Sequence, residues 1–195
     1  FRQGRLCIHA MALFGSRGLV TNAMIFLALG ILLKSMWQYR NLGEALAFYG
    51  AYHQDPLNQA IHFIFVPSLL WSFLLLFAQI PVLGLDLSLG GHRLSYASVI
   101  AASYICFYTL LDPITGSMYS AIVLAMYFSA KSIVDRDCTA GSKKDDDAQH
   151  GSSGLPMRLF AVVQVVGWYM QLHPGHAVFE GVKPALMDGL GQSFS

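Results

Sequence analysis

The sequence predicts an all-α integral membrane bundle of about four spans, with a fifth, N-terminal span as an alternative. Of its 195 residues 55% are hydrophobic and only 12% charged, about half the charged share of an ordinary soluble domain. Mean hydropathy is +0.50. Between Asn58 and Ala130 the only formal charges are Asp86, Arg93 and Asp112, a spacing that leaves apolar stretches able to cross ~30 Å of hydrocarbon.

Taken in order, residues 1–43 contain Arg2, Arg5, Arg17, Lys34 and Arg40 and no acid before Glu44. That bias predicts an N-terminal extension acting as a targeting or anchor segment. Its apolar part, Leu19 to Leu33, is short and contains Asn22, so it reads equally as a span or an interfacial helix. Residues 44–195 form the predicted membrane domain. A helix is expected from Ala60 to Leu85, kinked near Pro67 because the neighbouring carbonyls lose their N–H partner. Helices from Leu94 to Leu111 and from Ile114 to Val134 follow as a hairpin, since the residue before Pro113 is pushed out of the α region. Residues 135–154, DRDCTAGSKKDDDAQHGSSG, are too polar for a packed core and predict a disordered loop that includes His150. A last helix is expected from Leu155 to Leu172.

Several functions are excluded by what is missing. Net charge is +1 with no basic stripe, so no nucleic-acid surface is encoded. The three cysteines lack CxxC spacing, and there is no glycine-rich phosphate loop or GxSxG elbow. The apolar stretches also lack the ionisable residues that mark an ion path.

The chemistry concentrates in two clusters. The first, YHQDPLNQAIH, runs from Tyr52 to His62. Asp55-Pro56 has the pattern of an N-cap followed by proline at the first helical position. On that helix Asn58 and His62 lie four apart on one face, and His53 can fold back over it. The second, QLHPGHAVFEG, begins at Gln171; Pro174-Gly175 is expected to break the membrane helix after His173, with His176 and Glu180 on one side of a new turn. Four spans return the chain to its starting face, so both clusters meet one compartment. Four histidines gathered there predict a metal site held by His53, His62, His173 and His176, with Asn58 and Glu180 supporting the ligands. Imidazole suits Fe, Zn and Cu, and a site poor in carboxylates leaves positions open for substrate and oxygen.

The segments FYGAYHQDPLNQAIHFIFVP and WYMQLHPGHAVFEGVKPALMDGLGQSF resemble the iron-dependent 2-hydroxy fatty acid dioxygenases of endoplasmic reticulum membranes, a fungal and plant family of phytosphingosine breakdown. The likeness is carried by Tyr52, His53, Pro56, Asn58, Ile61, His62, Val66 and Pro67. Further along, it is carried by Gly175, His176, Phe179, Glu180, Pro184, Ala185, Leu186, Asp188 and Gln192. Some members read Gln-Phe-x-Gly-His where this chain has Gln171-Leu-His-Pro-Gly-His, one residue more. The resemblance implies Fe(II) as cofactor, His53, His62 and His176 as catalytic ligands, and a long-chain 2-hydroxy fatty acid shortened by one carbon with O₂. It also implies a multi-pass protein of the endoplasmic reticulum bilayer. The alternative from another class is a haem-binding or structural multi-span protein, with the histidines as axial ligands or packing groups.

Overall fold

The computed structural model describes residues 41–82, 88–89, 92–143 and 154–181, together with Phe26, Gly30 and Lys34. Most of the expected anchor segment, His9, His150 and the Pro184 to Gln192 motif lie outside the described residues.

Among the described residues the fold is helical apart from one two-residue ribbon. Helix α1, Leu42–Tyr52, was not anticipated from hydropathy. Its start is set by a reciprocal cap: the Asn41 side chain accepts from the Glu44 N–H at 2.9 Å, and its amide donates to the Glu44 carboxylate at 3.3 Å. The first bond satisfies one of the N–H groups that a helix start leaves without partners, and the second holds the two side chains together. Helix α2, Pro56–Ala78, begins as expected, with the Asp55 carboxylate accepting from the N–H groups of Leu57 at 2.8 Å and Asn58 at 3.1 Å. It ends short of Leu85, because Pro81 cannot continue the helix and instead bridges Ser95. Strands β1 (Ser88–Leu89) and β2 (His92–Arg93) pair antiparallel beyond it.

Helices α3, Tyr96–Leu111, and α4, Pro113–Lys143, form the predicted hairpin. Asp112 restarts the chain by accepting from the N–H groups of Ile114 and Thr115 and from the Thr115 hydroxyl at 2.6 Å. The expected disordered loop is corrected in its first half, since α4 continues as helix through Lys143. Helix α5 spans Leu155–Met170, and the predicted break at Pro174 is absent. The chain passes directly into a π-helix, Gln171–Glu180, which ends at Gly181 in the left-handed region, φ 67°. A proline lacks the N–H and crowds the carbonyl of the preceding turn. The wider i→i+5 winding accommodates it without a break.

The core is built from α2, α3 and α4 around Leu70, Leu74, Leu75, Tyr96, Ile100, Val123 and Val134. Helix α5 runs antiparallel against α2: Gln164 bonds Ser72 at 2.9 Å, Gly167 lies on Leu69, and Gly175 lies on Asn58. This alignment carries the end of the π-helix to the start of α2. Large apolar side chains face outward, including Phe63 at 84% exposure and Ile114 at 78%, an arrangement suited to lipid contact rather than water. Among the described residues two helices are long and apolar enough to cross a membrane, Pro56–Ala78 and Pro113–Thr139. Helix α3, with 16 residues, reaches about 24 Å, so two of the four expected spans meet the length on their own.

Candidate metal centre

Three histidines from three segments converge at the start of α2. His53 lies between α1 and α2, His62 on the second turn of α2, and His176 on the π-helix. Their ring centroids are 4.4 Å apart for His53 and His62, and 5.0 Å for each of these with His176. One nitrogen from each ring lies within 4.8 Å of the other two. His62 and His176 are buried and His53 half-buried.

The hydrogen bonds fix which nitrogens are available. His53 Nδ1 lies 2.9 Å from the Tyr49 carbonyl and His62 Nδ1 3.0 Å from the Asn58 carbonyl. A carbonyl only accepts, so both Nδ1 atoms carry the proton and both Nε2 atoms keep a lone pair. His53 Nε2 and His176 Nδ1 are buried without a hydrogen-bond partner. Orphaned buried nitrogens are costly in an apolar protein unless something else binds them. Burial holds His53 below the ordinary imidazole range, against the opposing pull of the Tyr49 carbonyl and of Glu180. Burial and the neighbouring His53 do the same to His176, again against Glu180. Neutral imidazole is the ligating form, so the donor set fits a metal ion.

Glu180 closes the site from outside. Its carboxylate accepts from the Gln54 N–H at 2.7 Å, the Asp55 N–H at 3.0 Å and the Asn58 amide at 2.9 Å. Burial raises its pKa, but those three bonds outweigh the burial and hold the carboxyl below its usual range. Both oxygens are thus engaged, and Glu180 ties the π-helix to the start of α2 instead of joining the histidines. Asn58, fully buried, sits between Glu180 and Gly175.

His173 is not brought to the cluster. Its ring is exposed and stacks on Tyr169 at 5.5 Å, because the unbroken π-helix turns it away from the face that carries His176. Two features were missed at the sequence level. Tyr49 stacks on His53 at 4.1 Å with rings 4° from parallel; its spacing of four from His53 was the available signal. Gly175 allows contact with Asn58: a Cβ there would lie 2.6 Å from Asn58 Oδ1 and 3.5 Å from His62 Cε1.

Residues 39–195 match the family model described as 2-hydroxy-palmitic acid dioxygenase Mpo1-like. The chain belongs to the Mpo1-like family. It is 29% identical over 153 residues to the 2-hydroxy-palmitic acid dioxygenase MPO1 of Saccharomyces cerevisiae, covering 78% of this chain and 72% of that protein. No solved structure matches it. The matched region of this Mpo1-like chain contains the three histidines, Asn58 and Glu180.

Proposed function

We propose that this Mpo1-like chain is an Fe(II)-dependent dioxygenase that shortens long-chain 2-hydroxy fatty acids by one carbon. The observation that carries the reading is the convergence of His53, His62 and His176, with unpartnered ring nitrogens on His53 and His176, in a chain related to a protein named a 2-hydroxy-palmitic acid dioxygenase. Three neutral imidazoles suit iron and leave coordination positions free. Iron(II) bound there would supply two-point binding of the 2-hydroxyl and carboxylate and the activation of O₂. The reaction balances without an external reductant: R-CH(OH)-COOH and O₂ give R-COOH, CO₂ and H₂O.

The protein's own contribution is orientation and exclusion of water. The Tyr49 and Asn58 carbonyls aim His53 and His62, and Glu180 holds the His176 segment against them. Such outer contacts fix the ligand geometry on which metal affinity depends. The substrate's acyl chain would leave the site along apolar helix faces, which suits an amphiphile drawn from the bilayer. The reading includes four spans, with α3 and α5 crossing beside α2 and α4, and residence in the endoplasmic reticulum membrane as the family resemblance implies. The haem alternative is disfavoured by the donor count, since three ring nitrogens converge on one point while haem iron offers protein side chains only its axial positions.

The test is iron analysis of the purified chain with mass spectrometry of products from 2-hydroxyhexadecanoic acid. Pentadecanoic acid should form with O₂ consumption and stop when iron is chelated. Hexadecanoic acid, lacking the hydroxyl-bearing carbon that supplies the electrons, should not react. His62→Ala and His176→Ala should lose iron and turnover together. Turnover of both acids alike, or full activity after iron removal, would refute the reading.

A further inference from the structure

The antiparallel seam between α5 and α2 is a series of contacts running from the middle of the bundle to the histidine cluster. Gln164 bonds Ser72, Gly167 touches Leu69 and Gly175 touches Asn58 and His62. Gln171 falls between the last two levels. On the π-helix the buried residues are Gln171, Gly175 and His176, and i→i+5 winding sets Gln171 under His176 on one face. Gln171 is therefore one turn below the histidine cluster, on its membrane side, and faces the seam. It is 6% exposed, and its amide nitrogen Nε2 is buried without any hydrogen-bond partner.

A buried amide donor left unpaired is a net cost to the fold. The neighbouring polar groups do not relieve it. Further along the seam the Ser72 hydroxyl is engaged by Gln164 and the Leu69 carbonyl. Towards the cluster, Asn58 gives its amide to Glu180, and its oxygen Oδ1, buried against Gly175, is likewise without a hydrogen-bond partner, so the Gln171 amide does not reach it. A donor with no partner among the described residues, placed next to a cluster suited to a metal that binds an acid, is complementary to an oxygen of that acid. An anionic acceptor gains most from such a donor away from water.

We infer that Gln171 is a substrate-binding residue whose side-chain amide donates a hydrogen bond to the carboxylate of the fatty acid seated at the histidine cluster. The assignment rests on the fatty-acid reading of that cluster. It separates two tasks: the histidines hold the metal, and Gln171 recognises the acid head group from the membrane side.

The test uses the full-length chain in nanodiscs loaded with Zn(II), which has no redox chemistry and so allows binding without turnover. Affinities for 2-hydroxyhexadecanoic and hexadecanoic acid are measured for the wild type, Gln171→Met and Gln171→Glu. Both variants should keep full metal stoichiometry. Gln171→Met should weaken both acids by similar factors, roughly 10- to 100-fold, as expected for a hydrogen bond to a charged group. Gln171→Glu should weaken them at least as much once the pH is raised far enough to ionise the introduced carboxyl, because a carboxylate there cannot donate and repels the ligand. The melting temperature of ligand-free Gln171→Met should equal or exceed that of the wild type, since an unpartnered amide has been removed.

Wild-type affinity in Gln171→Met overturns the assignment, as does a loss confined to the hydroxy acid, which would place the bond on the hydroxyl. A clearly lower melting temperature for ligand-free Gln171→Met also overturns it, by showing that the amide serves the fold. The function and the inference fail separately. An iron-loaded wild type that leaves the hydroxy acid unconsumed while both acids still bind through Gln171 defeats the first alone. Normal turnover with unchanged binding in the variants defeats the second alone.

Discussion

Glu180, Asp55 and His173 would look alike to a survey of polar residues at a membrane rim, yet their contacts assign them different consequences. The Glu180 carboxylate joins the π-helix to the Gln54 and Asp55 N–H groups and to Asn58. Glu180→Ala should leave all three histidines in place but weaken iron retention about 10- to 100-fold, the usual range for a lost supporting contact. Competition with a graded series of chelators measures this. Asp55 caps α2 through the Leu57 and Asn58 N–H groups, so Asp55→Ala should cost about 1 kcal/mol of stability with iron still bound. Among the described residues His173 stacks on Tyr169 and stands apart from the three-histidine cluster. His173→Ala should therefore keep wild-type iron content, and an iron-free His173→Ala would mean that the π-helix winds differently from the structure. The placement of His53, His62 and Asp55 was legible because they lie within a turn or two of one helix start, where spacing alone sets geometry. The unpartnered amide of Gln171 was not, because an unpaired donor is visible only when its neighbours are known.

At the scale of elements, two glycines set helix approaches of different tolerance. A Cβ at Gly116 would overlap the backbone of Tyr108 and Thr109 across the α3–α4 hairpin. Backbone cannot swing aside, so Gly116→Ala should destabilise by roughly 1 to 3 kcal/mol, as overpacking does. A Cβ at Gly167 would meet the Leu69 side-chain end at 2.8 Å, and a leucine end can change rotamer. Gly167→Ala should cost less, and denaturation of the two variants side by side checks the order. The hairpin itself was legible from Asp112-Pro113. The π-helix was not, because Pro174-Gly175 reads as a break on the assumption of 3.6 residues per turn. The extra residue between Gln171 and His176 was the signal available: four apart in an α-helix and five apart in a π-helix both bring two residues to one face.

For the whole molecule, the site end of the bundle contains the start of α2, the Asp112 turn and the end of the π-helix, if four helices cross. The α2–α3 connection and the start of α5 then face the opposite compartment. Single cysteines at Gln54, Thr115 and Gly181 should accept an impermeant thiol reagent from one side, in a background lacking the native cysteines. Cysteines at Gln79 and Gly154 should react from the other side. Labelling of Thr115 together with Gln79, and of Gly154 together with Gln54, would refute the four-span topology and leave two spans, those of α2 and α4. Hydropathy revealed the apolar helices but stopped α4 at Val134, because charged residues beyond it are compatible with helix and incompatible only with lipid. It missed α1 for the same reason, although Asn41 and Glu44 announce its start.

By itself the sequence determined the helical class, the hairpin at Asp112, the capped start of α2 and the two histidine clusters at one rim. Each of these follows from local chemistry: apolar length, a proline's lost N–H, a carboxylate's reach to the next turn. The tertiary structure decided which three histidines meet. His53 and His62 are joined by His176 rather than His173 because α5 packs antiparallel on α2, Gly175 admits close contact with Asn58, and the π-winding rotates His176 inward. That choice depends on long-range packing and on a helical repeat different from the one that sequence spacing assumes.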